Sequence, residues 1–274
     1  MEHLLRLTDS WDRAKLAGLF ALAKKYEEGV GPTHQGSAVL FFLSSSLRTR
    51  VTFELGAKRM GLAPVTFPPA TLDKPEALTD VAFYLSQWAG ILVVRHREVS
   101  VLERLASANV VPVVNGMTDE NHPCEVLSDL YSLSQSRDIF ELRYLFIGAD
   151  GNIGRAWREA ATAFSLDLTQ CCPPELAMAD TNWNGDLSEA VRDADVIITD
   201  GPGPYVEELS PFQVTAEVLG AASKNVLLNP CPPFIRGREV SADAIENSAF
   251  VGYEFKRSLL PVQQAIMATC MNLT

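Results

Sequence analysis

Short apolar runs alternate with amphipathic stretches along almost the whole chain, and that alternation sets the expected fold class. The first amphipathic stretch, Ser10 to Glu28, places Leu16, Leu19, Phe20 and Ala23 at helical spacing, with Ser10 available as a cap and Gly29 as the stop. AVLFFL (38–43) follows as a wholly apolar run, the signature of a strand covered on both faces. A helix is predicted from Arg48 to Met60, stopping at Gly61, and another from Glu76 to Trp88, before the strand GILVVRH. Ser100 is placed to cap a short helix, VVPVVN reads as a strand, and His122 to Ser134 reads as a helix with Pro123 in its first turn.

The polar stretch SQSRD marks a boundary near residue 136, after which the pattern restarts. It runs through the strand YLFIG (144–148), a helix from Asn152 to Phe164 and the strand LDLTQCC. The strand DVIITD (195–200), a helix after Pro211, the strand NVLLN and a last apolar helix from Leu259 to Met271 complete it. Alternating strands and helices, twice over, predict an α/β protein of two doubly wound parallel-sheet domains. Open parallel sheets bind ligands beyond the carboxyl ends of their strands. That rule points to SSSLRTR, to VRHR, to the loop NGMTDENHPCE, and to the turns TDGPG and NPCPP.

Composition narrows the ligands. The 274 residues carry a net charge of −11, which disfavours nucleic acid and anionic membranes as partners, because phosphate-rich surfaces need a basic face. An anionic small molecule must then be held by a local cluster of arginines. The five cysteines (Cys124, Cys171, Cys172, Cys231, Cys270) include no C-x-x-C pair, so neither a disulfide framework nor a structural metal site is expected. Reduced thiols in a cytoplasm are the simplest reading. The opening MEHLLRLTDSWDR lacks a long apolar segment, and no apolar run approaches bilayer-spanning length.

At the first strand end, Ser46, Arg48, Thr49 and Arg50 lie where a helix begins. Unpaired helix N–H groups, hydroxyls and a forked guanidinium suit a phosphate; an ordinary serine cap with two solvated arginines suits the same residues. His122 could donate to an oxygen gaining charge, or serve only as a polar loop residue. Arg95 and His96 end a strand and could face the same cleft. FIGADGNIG has glycines at 148, 151 and 154 after a strand and before a helix, as in a dinucleotide turn. The following strand, however, ends in cysteines and not in the acidic residue that holds a ribose. Asn152 and Asp200 could bind an amino acid's carboxylate and ammonium, or simply shape turns.

Taken in order, these segments resemble the aspartate/ornithine carbamoyltransferase family. SLRTR resembles its S-T-R-T-R motif, and NGMTDENHPCEVLSDL resembles N-G-L-S-D-x-x-H-P-x-Q-x-L-x-D. DVIITD with SPFQVTAEVL follows the ornithine branch, and NPCPPFIRGREV is similar to H-C-L-P-x-x-R-G-x-E-V. The resemblance implies transfer of a carbamoyl group from carbamoyl phosphate to an amine, without cofactor or metal, in a homotrimer with shared sites. It implies a carbamoyl-phosphate-binding domain over residues 1–135, an acceptor-binding domain over 136–255, and a C-terminal helix, 256–274, packing on the first. Carried over, Ser46, Arg48, Thr49 and the backbone at Leu47 hold the phosphate, while Arg95, His122 and Thr49 polarise the carbonyl. Arg257 in YEFKR matches the arginine of A-E-N-R and joins that site, and Lys74 in DKPE matches loosely a lysine contributed by a neighbouring subunit. Asn152, Asp200 and Cys231 face the acceptor, which donor-first binding and closure would present as a neutral amine.

The departures concern the acceptor and one donor contact. Glu125 stands where the family has the glutamine beside the carbamoyl NH2, and an anion there is costly unless an arginine compensates it or it is protonated. The S-M-G expected after Asp200 is replaced by GPGPY, and Asn229-Pro230 replace His-Cys. The expected acceptor is therefore an amino acid other than ornithine, such as a non-protein diamino acid, with ornithine and aspartate left open. A non-catalytic carbamoyl-phosphate-binding homologue and an NAD(P)-dependent dehydrogenase are the alternatives.

Overall fold

The computed structural model describes residues 1–273, which divide into two units: residues 1–135 with the C-terminal segment from Lys256, and residues 136–255. In the first unit, α1 (Arg13–Glu27) is capped by Asp12, whose carboxylate accepts from the Lys15 N–H at 2.8 Å. The expected cap, Ser10, instead accepts from the Lys15 ammonium at 3.2 Å. After β1 (Gly36–Phe41) come α2 (Arg48–Arg59) and β2 (Leu62–Phe67). No strand is expected from the apolar pattern at β2, which contains Pro64. A proline is tolerated here because β2 is an edge strand, where one side of the backbone has no neighbour to bond.

Next are α3 (Leu78–Leu85), β3 (Ile91–Arg95), α4 (Val99–Ser107), β4 (Val113–Met117) and α5 (Pro123–Ser134). The α3 helix is shorter than expected because Gln87 and Trp88 bond back only three residues, to Tyr84 and Leu85, tightening the chain out of the α-helix. Glu98, not Ser100, takes the cap position of α4, and the Ser100 hydroxyl donates to the Glu98 carboxylate. The parallel order is β2-β1-β3-β4. On one face, Val39, Phe41, Leu92 and Val94 pack with Leu102 and Leu105 of α4. In the closing segment, α11 (Leu259–Cys270, numbered after the elements below) is buried along nearly its whole length against α1, α2 and α5.

The second unit contains β5 (Arg143–Ile147), α6 (Asn152–Phe164), β6 (Asp167–Cys171), β7 (Asn182–Asn184), α7 (Leu187–Ala190) and β8 (Val196–Thr199). After these come α8 (Val206–Leu209), α9 (Ala216–Ala221), β9 (Leu227–Pro230) and α10 (Ala242–Glu246). The five strands are parallel in the order β7-β6-β5-β8-β9. Two doubly wound α/β units are thus present. The order turns back between β5 and β8, so the loops after those strands diverge and leave a crevice at their carboxyl ends. Gly154 of α6 is required there: a Cβ would stand 2.6 Å from the Phe146 ring. That contact explains the glycine without any bound dinucleotide. All five cysteines are buried free thiols. Among the described residues, no helix is long and apolar enough to cross a membrane.

Candidate active site

The first unit gathers its sequence-marked residues at the carboxyl ends of β1, β3 and β4. Ser46 does not cap α2: Leu47 holds the cap position, and no side chain satisfies the helix start. The buried Ser46 Oγ instead accepts from Arg95 Nη1 at 3.1 Å, joining the ends of β1 and β3. Arg95 is the last residue of β3 and pairs with Met117, past a register shift that leaves Gly116 of β4 without a partner on β3. Arg48 is exposed at the first turn of α2 and Thr49 is buried beside it, so a guanidinium and a hydroxyl flank the positive end of the helix. Arg50 is committed elsewhere, donating to Glu54 at 2.7 Å. Burial holds Arg95 below its ordinary pKa, partly offset by Asp119, but a guanidinium stays charged.

A network internal to the loop sets His122 in place. Asn115 Nδ2 donates to Asn121 Oδ1 at 2.6 Å, and the backbone N–H of Asn121 donates to Thr118 Oγ1 at 3.1 Å. These bonds bring the chain to His122 at the cap position of α5, where Pro123 fits the first turn. The imidazole is buried, its Nδ1 meets no partner among the described residues, and burial lowers its pKa to about 4, so the ring is neutral near pH 7. A neutral imidazole can donate one N–H to a carbonyl oxygen without bringing a full charge into the cavity. His96 turns to a local role: its Nδ1 accepts from the Glu98 N–H, which leaves Nε2 to donate to Asp73 at 3.0 Å. Arg95 also borders a hollow of about 230 Å³ shared with Leu43, Pro69, Met117 and Thr118.

Glu125 lies on α5, one turn after His122, and is buried. Its carboxylate accepts from Lys256 Nζ at 2.7 Å, and the same ammonium donates to the buried Asp129 at 2.6 Å. Burial pushes the Glu125 pKa up, but Lys256 and Arg48 outweigh it and hold the carboxyl ionised below its ordinary value. The sequence reading required an arginine or a proton at this point; the structure supplies a lysine that it did not single out. The available signal was the buried acid itself, which demands a nearby base. Arg257, the residue expected in this site, is exposed, and its charge acts on Glu27. Lys74 is exposed directly after a short 3-10 turn.

The second unit forms its own constellation at the crevice. A Cβ on Gly151, immediately before Asn152, would lie 3.8 Å from Asp200 Oδ2, so the start of α6 and the residue after β8 adjoin. The Cys231 N–H donates to the Thr199 carbonyl at 2.8 Å, which sets the turn after β9 beside Asp200. Asn152, Asp200 and Cys231 therefore share one end of the sheet. Beside them is a cavity of about 80 Å³ lined by Ile147, Pro202, Val206, Leu209 and Phe212 and by the charged Asp200, Arg238 and Glu239. The segment GPGPY supplies part of that wall.

Comparison with known proteins agrees with this layout. Residues 2–135 match the family model described as aspartate/ornithine carbamoyltransferase, carbamoyl-P binding domain, and residues 141–270 match the Asp/Orn binding domain. A protein from Nitrobacter winogradskyi named ornithine carbamoyltransferase is 31% identical, with 98% of this chain and 97% of that protein covered. The solved ornithine carbamoyltransferase from Pyrococcus furiosus shares the fold with a TM-score of 0.91 at 24% identity, covering 99% of this chain and 97% of that one. The corresponding enzyme from Burkholderia thailandensis gives 0.90 at 25%, covering 100% and 99%. The chain belongs to the aspartate/ornithine carbamoyltransferase family.

Proposed function

We propose that this carbamoyltransferase transfers the carbamoyl group of carbamoyl phosphate to an amine of an amino acid other than ornithine, a non-protein diamino acid or close relative, releasing phosphate. The observation that carries the donor half is the Ser46–Arg95 contact beside the uncapped start of α2, with the neutral His122 nearby in the same unit. In this reading Ser46, Arg48, Thr49 and the Leu47 backbone hold the phosphate. Arg95, His122 and Thr49 point donors at the carbonyl oxygen. The neutral amine attacks the carbonyl carbon, charge collects on that oxygen, and the proton of the amine passes to an oxygen of the departing phosphate. Fixed donors stabilise that charge, and collapse of the tetrahedral species expels phosphate into the Arg48 site. Arg257 and Lys74 complete the donor site, the latter in a neighbouring subunit.

Asn152 and Asp200 hold the α-carboxylate and α-ammonium, with Cys231 alongside. The cavity beside Asp200 supports an acceptor other than ornithine, because Pro202 of GPGPY, the segment that departs from the family pattern, forms part of its wall. Ornithine is the competing acceptor, favoured by the names of the relatives. A stripe of exposed apolar residues supports the homotrimer. Leu47, Val51 and Leu55 are 68%, 53% and 38% exposed at successive turns of α2, with Phe67 of the edge strand 40% exposed. Five free thiols fit a reducing cytoplasm. The deciding experiment incubates the protein with carbamoyl phosphate and a panel of amino acids, measuring ureido product and phosphate. Turnover fastest with ornithine would overturn the acceptor assignment, and no turnover with any amine would overturn the enzymatic one.

A further inference from the structure

We propose that Lys256 is a positioning residue of the donor site: it holds Glu125 as an ionised, acceptor-only group, and Glu125 selects the donor by reading its amide nitrogen. This rests on the donor reading above. Glu125 and Asp129 lie four residues apart on α5, both buried, and one ammonium bridges them at 2.7 and 2.6 Å. Asp129 belongs to the family pattern. Glu125 and Lys256 are both departures from it, at the positions of the glutamine in H-P-x-Q and the asparagine in A-E-N-R. Two departures 131 residues apart in sequence therefore meet in one ion pair. Each explains the other: a buried carboxylate needs a compensating charge, and a buried ammonium needs acceptors.

The exchange alters what the donor meets. A glutamine amide offers either an oxygen or an NH2 by rotating, whereas a carboxylate held by a lysine offers only lone pairs. Glu125 stands three residues after His122, the cap residue of α5, and the Arg48 guanidinium at the start of α2 acts on its carboxylate. A carbamoyl NH2 presented there gives its hydrogens to Glu125. A methyl group in the same place leaves the carboxylate without a donor, and a carboxylate oxygen meets like charge. The site should thus discriminate carbamoyl phosphate from acyl phosphates of the same size through this contact.

The test is calorimetric titration of the full chain with phosphonoacetamide, with its methyl-ketone counterpart 2-oxopropylphosphonate, and with inorganic phosphate. The unmodified protein should prefer the amide by about 100-fold, the size of a charged hydrogen bond left unmade. Lys256→Met should reduce that preference below tenfold while leaving phosphate affinity within threefold. Lys256→Arg should retain it, and the double variant Glu125→Gln/Lys256→Asn should restore it in a neutral form. If Lys256→Met fails to fold, the arginine and double variants still decide the matter, since loss of the amide preference in both contradicts the proposal. An unchanged preference in Lys256→Met, or a parallel loss of amide and phosphate binding, overturns the positioning role. Failure of the unmodified protein to bind any of the three probes removes the donor reading itself, and this proposal with it.

Discussion

Replacing His122 by asparagine should separate the effect of the buried ring on stability from its proposed role in the chemistry. The first is on stability. The imidazole titrates at its ordinary 6.5 in an unfolded chain but at about 4 in the fold, where burial disfavours the cation. Above pH 6.5 neither state carries the proton, and the residue makes stability no more pH-dependent. As the pH falls below 6.5 the unfolded chain takes up a proton that the folded chain refuses, so stability declines until the pH passes 4. Between pH 7 and pH 5, above most of the carboxylate range, this amounts to ~2 kcal/mol. Urea denaturation at both pH values should show that loss in the unmodified protein and little of it in His122→Asn. The second effect is on rate: loss of a fixed donor to the developing oxyanion should lower kcat by about 10²–10³-fold, with carbamoyl phosphate affinity changed far less. An equal loss of stability on acidification in both proteins would show that His122 is not the buried neutral base described here. Full retention of kcat would remove it from the chemistry.

Three further outcomes follow from other parts of the molecule. Asp200→Asn should raise KM for the amine by about tenfold or more, since it weakens a charged contact to ammonium, while calorimetric binding of phosphonoacetamide stays unchanged; altered donor binding would contradict its placement on the acceptor side. Gly154→Ala pushes a Cβ to 2.6 Å from Phe146 and should destabilise the fold. A loss of about 1–3 kcal/mol in urea denaturation is expected, largely relieved by adding Phe146→Leu, and no relief would mean that the glycine serves something other than packing. Val51→Asp combined with Phe67→Glu should convert a trimer to monomers in sedimentation velocity, and a mass unchanged by the substitutions would place any interface elsewhere.

Much of the architecture follows from local pattern. AVLFFL, ILVV and VIIT are apolar at every position because central parallel strands are covered on both faces, and such runs are readable without knowing their neighbours. The strand-end rule then pointed to Arg95 and Asp200, which directly follow such runs, and to Ser46 and His122, which lie in the loops after β1 and β4. Boundaries were less legible where two local signals compete. Ser10 and Asp12 are both competent caps, and only the folded chain shows that the Asp12 carboxylate receives the Lys15 N–H. Pro64 is compatible with a strand only at a sheet edge, and edge position is a property of the assembled sheet.

Local pattern is enough to fix the class of fold, the positions of the strand ends and the chemistry available at each of them. Tertiary structure alone decided how those groups are used. It withdrew Ser46 from capping by bringing Arg95 to it across 49 residues. It made His122 neutral by enclosing it, and it answered the surplus carboxylate of Glu125 with Lys256. The reason is physical: periodicity records which face of an element is buried, whereas proton affinity and ion pairing depend on which distant groups share that burial, and through what dielectric.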